Sequence, residues 1–143
     1  MPAPSLQELK KALTQAGFEV YRARGSEVQL AERPRDNLIM DANVSVVATD
    51  PLRVRFVVRA QKADFASDSD EALYDRALAL AESTRDRGFV EVERRARPLP
   101  DPGDPGRILD TWYEVVLERP VDTMAEAAAE LPTLLKLEKA ATR

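Results

Sequence analysis

Apolar and polar positions recur with two periods along this chain, and the switches between them mark out its elements. Ser5-Leu6-Gln7-Glu8 has the form of a capping box. In such a box the Ser hydroxyl accepts from the amide three residues on, and the Glu reaches back. Leu6, Leu9, Leu13 and Ala16 then fall on one helical face, and Gly17 supplies a stop. The spacing predicts a helix from about 5 to 16.

The period then drops to two. Phe18, Val20, Val28 and Leu30 alternate with polar partners around Arg24-Gly25-Ser26, which reads as a hairpin. "RPRDNLIMDA" reads as a connector, with Pro34 and Asp36-Asn37 as its turn residues. "NVSVVAT" and "LRVRFVVRAQ" read as two more strands joined at Asp50-Pro51. In the second, Leu52, Val54, Phe56, Val58 and Ala60 share one face, and Arg53, Arg55, Val57, Arg59 and Gln61 share the other. A strand with one apolar and one polar face suits an antiparallel sheet with one covered side.

Acidic "SDSDE" (67–71) precedes a second helical stripe of Leu73, Ala77, Leu80, Ala81 and Thr84, which Gly88 closes. Two alternating segments follow, "FVEVERRAR" and "RILDTWYEVVLER", on either side of "PLPDPGDPGR" (98–107). Their matched lengths make that proline-rich stretch a long hairpin connector, with a contact loop or a linker as the other readings. Thr123 and Glu126 form a second capping box, and a last helix is expected from about 123 to 141, kinked or divided at Pro132.

The expected fold class is therefore α+β, in the order α-β-β-β-β-α-β-β-α. The sheet is mainly antiparallel, with helices packed on one face or at its ends. At 143 residues the chain is read as a single α+β domain spanning 1–143. "Helix, Gly-Phe, strand" occurs twice, at Gly17-Phe18 and Gly88-Phe89. Reuse of a simple device explains that better than a duplication does.

Composition narrows the chemistry. There is no Cys and no His, so disulfides, thiolate nucleophiles, Cys-type zinc sites and the His-based triads are excluded for this chain alone. The net charge of −4 gives no global attraction to nucleic acid or to anionic membrane. No run of about 18 apolar residues occurs, and the first residues lack the apolar core of a signal peptide. The expected location is cytoplasmic. Phosphate-binding glycine loops are absent, and "PGDPGR" lacks the backbone donors such a loop needs. "DFASDSDE" lacks the central Gly and the twelfth-position Glu of an EF-hand, so its acids read as helix caps.

Enzyme chemistry would have to come from groups such as Asp36, Asp41, Glu114 and Tyr113, and no spacing singles out a pair. We expect no catalytic residue, no metal and no cofactor.

Two surfaces remain. Trp112, with Ile108, Val57 and Val116, is a candidate protein-contact patch on the outer sheet face, unless Trp112 is instead buried. Arg53, Arg55, Arg59, Arg94, Arg95 and Arg97 form basic stripes, with Arg107 nearby. They read either as an anion or RNA surface or as partners of Glu91, Glu93, Glu114 and Glu118 across the strands.

The layout resembles the type III secretion chaperone and YbjN-like group of small α+β proteins. The likeness is carried by "SLQELKKALTQAGFEVYRARGSEVQLAE", "ALYDRALALAESTRDRGFVEVE" and "VDTMAEAAAELPTLLKLEKAA". That group has three strands between its first two helices, and this chain reads as four. The resemblance implies dimers that bind other proteins, and no motif residue is carried over. The expected function is a non-enzymatic protein-binding module, chaperone-like or regulatory, that forms a homodimer. The alternative is an anion- or RNA-binding protein.

Overall fold

The computed structural model describes residues 3–35 and 37–141, without the side chains of Pro34 and of residues 138–141. The elements follow the expected order. They are α1 (Leu6–Gln15), β1 (Val20–Arg24), β2 (Glu27–Arg35), β3 (Leu38–Val47), β4 (Leu52–Gln61), α2 (Asp70–Ala79), β5 (Val90–Asp101), β6 (Asp104–Val121) and α3 (Met124–Ala141). The six strands form one antiparallel sheet in the order β1-β2-β3-β4-β6-β5. β1 and β5 are its edges. The chain divides into two units, Met1–Phe56 with Glu118–Arg143, and Val57–Leu117. β4 and β6 each contribute residues to both.

In the first unit α1 begins where its capping box predicts. The Glu8 amide donates to Ser5 Oγ at 3.1 Å and the Ser5 amide to Glu8 Oε1 at 3.3 Å. Gly17, at φ 94°, follows the last turn in a conformation that disfavours any side chain. Leu9 and Leu13 are fully buried, as are Val28, Leu30, Val44, Val46, Val54 and Phe56 from the strands and Leu131 and Leu134 from α3. Each buried Leu contributes roughly 1.5–3 kcal/mol of transfer free energy.

The expected connector at 33–42 is strand instead, because β2 and β3 continue to a turn after Arg35. The longer hairpin is accommodated by a bulge. The register passes from Gln29↔Ser45 to Ala31↔Asp41, with Asn43 at φ 59°. The Asp41 carboxylate accepts from the Asn43 amide at 2.9 Å, which explains why Asp and Asn stand at this kink.

In the second unit Ser69 caps α2 by accepting from the Ala72 amide at 3.2 Å. The helix is shorter than its apolar stripe suggests. After Ala79 the chain tightens into a 3-10 turn at Glu82–Arg87, and Leu80 is left exposed. Ser83, Thr84 and Asp86 are weak helix formers. The Thr84 hydroxyl donates to the Ala81 carbonyl at 2.6 Å, holding the tighter turn.

The proline-rich connector also differs from expectation. β5 and β6 run through it to a turn at Pro102 and Gly103, whose amide donates to Asp101 Oδ1 at 2.9 Å. Pro98 and Pro100 are compatible with a strand because β5 is an edge. β6 has 18 residues against 10 in β4. Ala63, just past the end of β4, donates its amide to Asp110. Residues 104–109 therefore extend beyond β4, and residues 102–109 are all exposed.

α3 passes through Pro132 as one helix. The Glu126 amide donates to Thr123 Oγ1 at 3.1 Å. The Glu126 carboxylate reaches back to the Asp122 amide at 3.0 Å, one residue earlier than in a standard box.

Candidate functional site

The basic stripes are matched to carboxylates. In the first unit Arg55 bridges Glu27 at 2.7 Å and Glu118 at 2.6 Å, Arg53 lies 3.3 Å from Glu118, and Ser45 donates to Glu27. These side chains stand on β2, β3, β4 and β6, so the row ties four strands together across one face. Glu118 is buried, while the arginines are partly exposed.

In the second unit Glu114 is the centre. It is 0% exposed and takes donors from both neighbouring strands. Arg59 of β4 donates Nε and Nη2 to Oε2 at 3.0 and 2.8 Å. Arg95 and Arg97 of β5 donate to Oε1 at 2.9 and 3.4 Å. Burial alone raises the Glu114 carboxyl, but hydrogen bonds from Arg59 and then Arg95, with their charges, outweigh it and hold it below its ordinary value. The carboxylate is fixed in its ionised form with all its donors in place, an arrangement suited to joining strands rather than to moving protons.

The Arg59 guanidinium also lies over the Trp112 ring, 3.8 Å from its centroid. Trp112 is half-buried under that cover, and Val57 is half-buried as well. Val116 corrects the sequence reading. Alternation places it on the Glu114 face, as expected, but it is only 2% exposed. Of the four patch residues only Ile108, at 51%, is well exposed.

Apart from Leu80 after α2, the large exposed apolar side chains described in this unit lie instead on β5 and the outer part of β6: Val90, Val92, Ile108 and Leu109. Beside them Arg94 pairs with Glu91 at 2.7 Å and sits 5.5 Å from the Tyr74 ring centroid of α2. β5 carries Glu91, Glu93, Arg94, Arg95 and Arg97 within seven residues. This density of charge in a strand is the signal the sequence offered for an open edge, and its reading as half of an ordinary hairpin missed it. A second exposed apolar group, Leu38, Ile39 and Met40, stands at the β2–β3 turn in the first unit.

The remaining candidates are engaged structurally. Asp41 holds the β3 bulge. Tyr113 donates its hydroxyl to Asp70 at 2.7 Å and packs edge-on against Tyr74 at 5.2 Å. That hydrogen bond, then burial and the Asp70 charge, raise the Tyr113 hydroxyl above its ordinary value. Asp36 lies outside the described residues. In the acidic 67–71 segment Asp68 pairs with Arg76, and Asp70 accepts from Tyr113. Among the described residues no group of three or more acidic side chains is placed to hold a metal ion. No helix among them is long and apolar enough to cross a membrane.

A groove of about 270 Å³ lies in the first unit between Ala31 and Arg33 of β2 and Pro132 and Leu135 of α3. Glu19 and Arg33 face each other across its rim at 2.7 Å. No protein-family model, curated protein or solved structure matches this chain.

Proposed function

We propose that this protein is a binding module that receives an extended segment of another polypeptide along the edge of β5. One observation carries the reading. A 12-residue strand ends the sheet with Val90 and Val92 exposed at 59% and 47%. An edge strand offers a row of backbone donors and acceptors, and an added strand satisfies them while its side chains meet the exposed apolar ones. Ile108 and Leu109 are also exposed, but on the part of β6 near the 102–103 turn, at the other end of the hairpin from Val90 and Val92.

The six arginines of the basic stripes each have a carboxylate within ion-pair distance. An anion or an RNA strand would have to compete with those pairs, so they do not favour the electrostatic reading. The reading that these observations support best is protein binding.

The test is capture from a nuclease-treated extract of the native host by the wild-type chain and by a Val90→Asp/Val92→Asp variant, at physiological salt. A partner retained by the wild type and lost by the variant supports the reading, provided circular dichroism and the melting curve are unchanged. Equal recovery of the same partners by both proteins rejects it.

A further inference from the structure

We infer that β5 also accepts the β5 of a second copy of this chain, running antiparallel, so that self-pairing and partner binding compete for one edge. The inference rests on reading β5 as a strand-accepting edge and names one occupant.

The argument begins with the order of charges. β5 is acidic at its start, with Glu91 and Glu93, and basic further on, with Arg94, Arg95 and Arg97. An antiparallel copy sets the acidic half of each strand against the basic half of the other, and a two-fold axis makes the match twice. The arginines keep their in-chain carboxylates and share a guanidinium with a second one, as Arg55 does between Glu27 and Glu118. A parallel copy sets acid against acid and base against base. Opposite charges facing each other across strands stabilise the pair, and like charges oppose it.

Glu93 is the carboxylate with most to gain. Its side chain is 56% exposed and its contact with Arg95 is a loose 3.9 Å. Arg95 itself is committed to Glu114 at 2.9 Å. Glu93 therefore stands ready for a basic residue from outside. Pro98 and Pro100 have no N–H to give, which confines the new ladder to the residues before them.

Charges on an edge are ordinarily a guard against indiscriminate strand pairing. Here the two signs are segregated along the strand. The guard then rejects most strands and admits one with complementary polarity, which is how repulsive elements create specificity. A contact this short falls below the roughly 1,200 Å² at which specific interfaces usually begin. The dimer is accordingly weak, with dissociation in roughly the micromolar range or above.

Sedimentation equilibrium of the full chain tests this, from micromolar to near-millimolar concentration. The wild type is expected to show a monomer–dimer equilibrium. Glu91→Arg/Glu93→Arg makes the strand basic throughout and weakens it at least about tenfold. Arg94→Glu makes it more acidic with the same effect, and Arg95 and Arg97 are kept for their bonds to Glu114. Mixing the two variants restores a mixed dimer, which a merely misfolded variant cannot do. A wild type that stays monomeric overturns the inference, as does a dimer that neither variant weakens. Either result leaves the partner-binding reading standing if the Val90→Asp/Val92→Asp comparison still shows loss of a partner. Charge-dependent self-pairing together with no difference in that comparison rejects the partner reading and retains the self-pairing.

Discussion

Arg59 lies with its guanidinium 3.8 Å from the centroid of the Trp112 ring, a cation placed over the face of the chain's single tryptophan. The same guanidinium gives two N–H groups to the buried Glu114 carboxylate. One side chain therefore neutralises a buried charge and shields an aromatic ring from water.

Removing it should affect both. Arg59→Ala is expected to shift Trp112 emission to longer wavelength and to raise its quenching by acrylamide. Stability should fall by about 1–2 kcal/mol from the lost charged hydrogen bonds and cation–π contact. Arg59→Lys keeps the charge but not the planar fork, and should recover little of either. Emission unchanged in Arg59→Ala would show that Trp112 is covered by something else.

Glu114 sets an acid limit on stability. Its carboxyl titrates below the ordinary 4.5 in the folded chain and near that value when unfolded. The stabilisation is therefore complete above about pH 4.5 and is lost as pH falls through the lower folded value. Glu114→Gln leaves Arg59, Arg95 and Arg97 without their shared counter-charge. Because these arginines are partly exposed and can turn to water, the expected cost at neutral pH is about 2 kcal/mol, below the usual range for a broken buried pair. Urea unfolding from pH 3 to 7 should show a shallower acid slope in the variant. Parallel slopes would remove Glu114 from the account.

How much of this was legible beforehand depended on whether local chemistry or sheet position decided the outcome. Ser5, Glu8 and Gly17 act on their own backbone, so α1 could be read to within a residue. The alternation of Leu52 to Gln61 likewise fixed the faces of β4. The burial of Val116 was not legible, because alternation gives the face of a strand but not what covers that face. The turn at Pro102 and Gly103 was obscured because prolines mark loops in most contexts and only an edge strand tolerates them. The pairing of the Arg stripes with Glu114 and Glu118 was available as one of two readings. The exposed valines of β5 became meaningful only once β5 was known to end the sheet.

Tyr113 ties β6 to the first turn of α2 through its bond to Asp70. Tyr113→Phe keeps the buried ring and removes only the donor. It should cost about 1 kcal/mol, because Asp70 is exposed enough to turn to water. The hydroxyl is raised above its ordinary 10.0 in the fold, so its contribution is present below about pH 10 and is lost as pH rises through the folded value. Asp70→Asn should move that alkaline transition, followed by phenolate absorbance, to lower pH. A transition that Asp70→Asn leaves in place would assign the shift to burial instead.

Pro132 stands inside α3 on its exposed side, where it gives no N–H to the carbonyl of Ala128. A proline in a helix interior costs about 3 kcal/mol relative to alanine, partly offset because it also restricts the unfolded chain. Pro132→Ala should therefore stabilise the protein by about 1–2 kcal/mol, read as a higher denaturant midpoint with an unchanged slope. The substitution also removes one wall of the groove beside Arg33. If Pro132→Ala instead lowers the midpoint, what the ring contributes as a wall of the groove outweighs the restored hydrogen bond. The groove would then be a packing feature that α3 retains a proline to form.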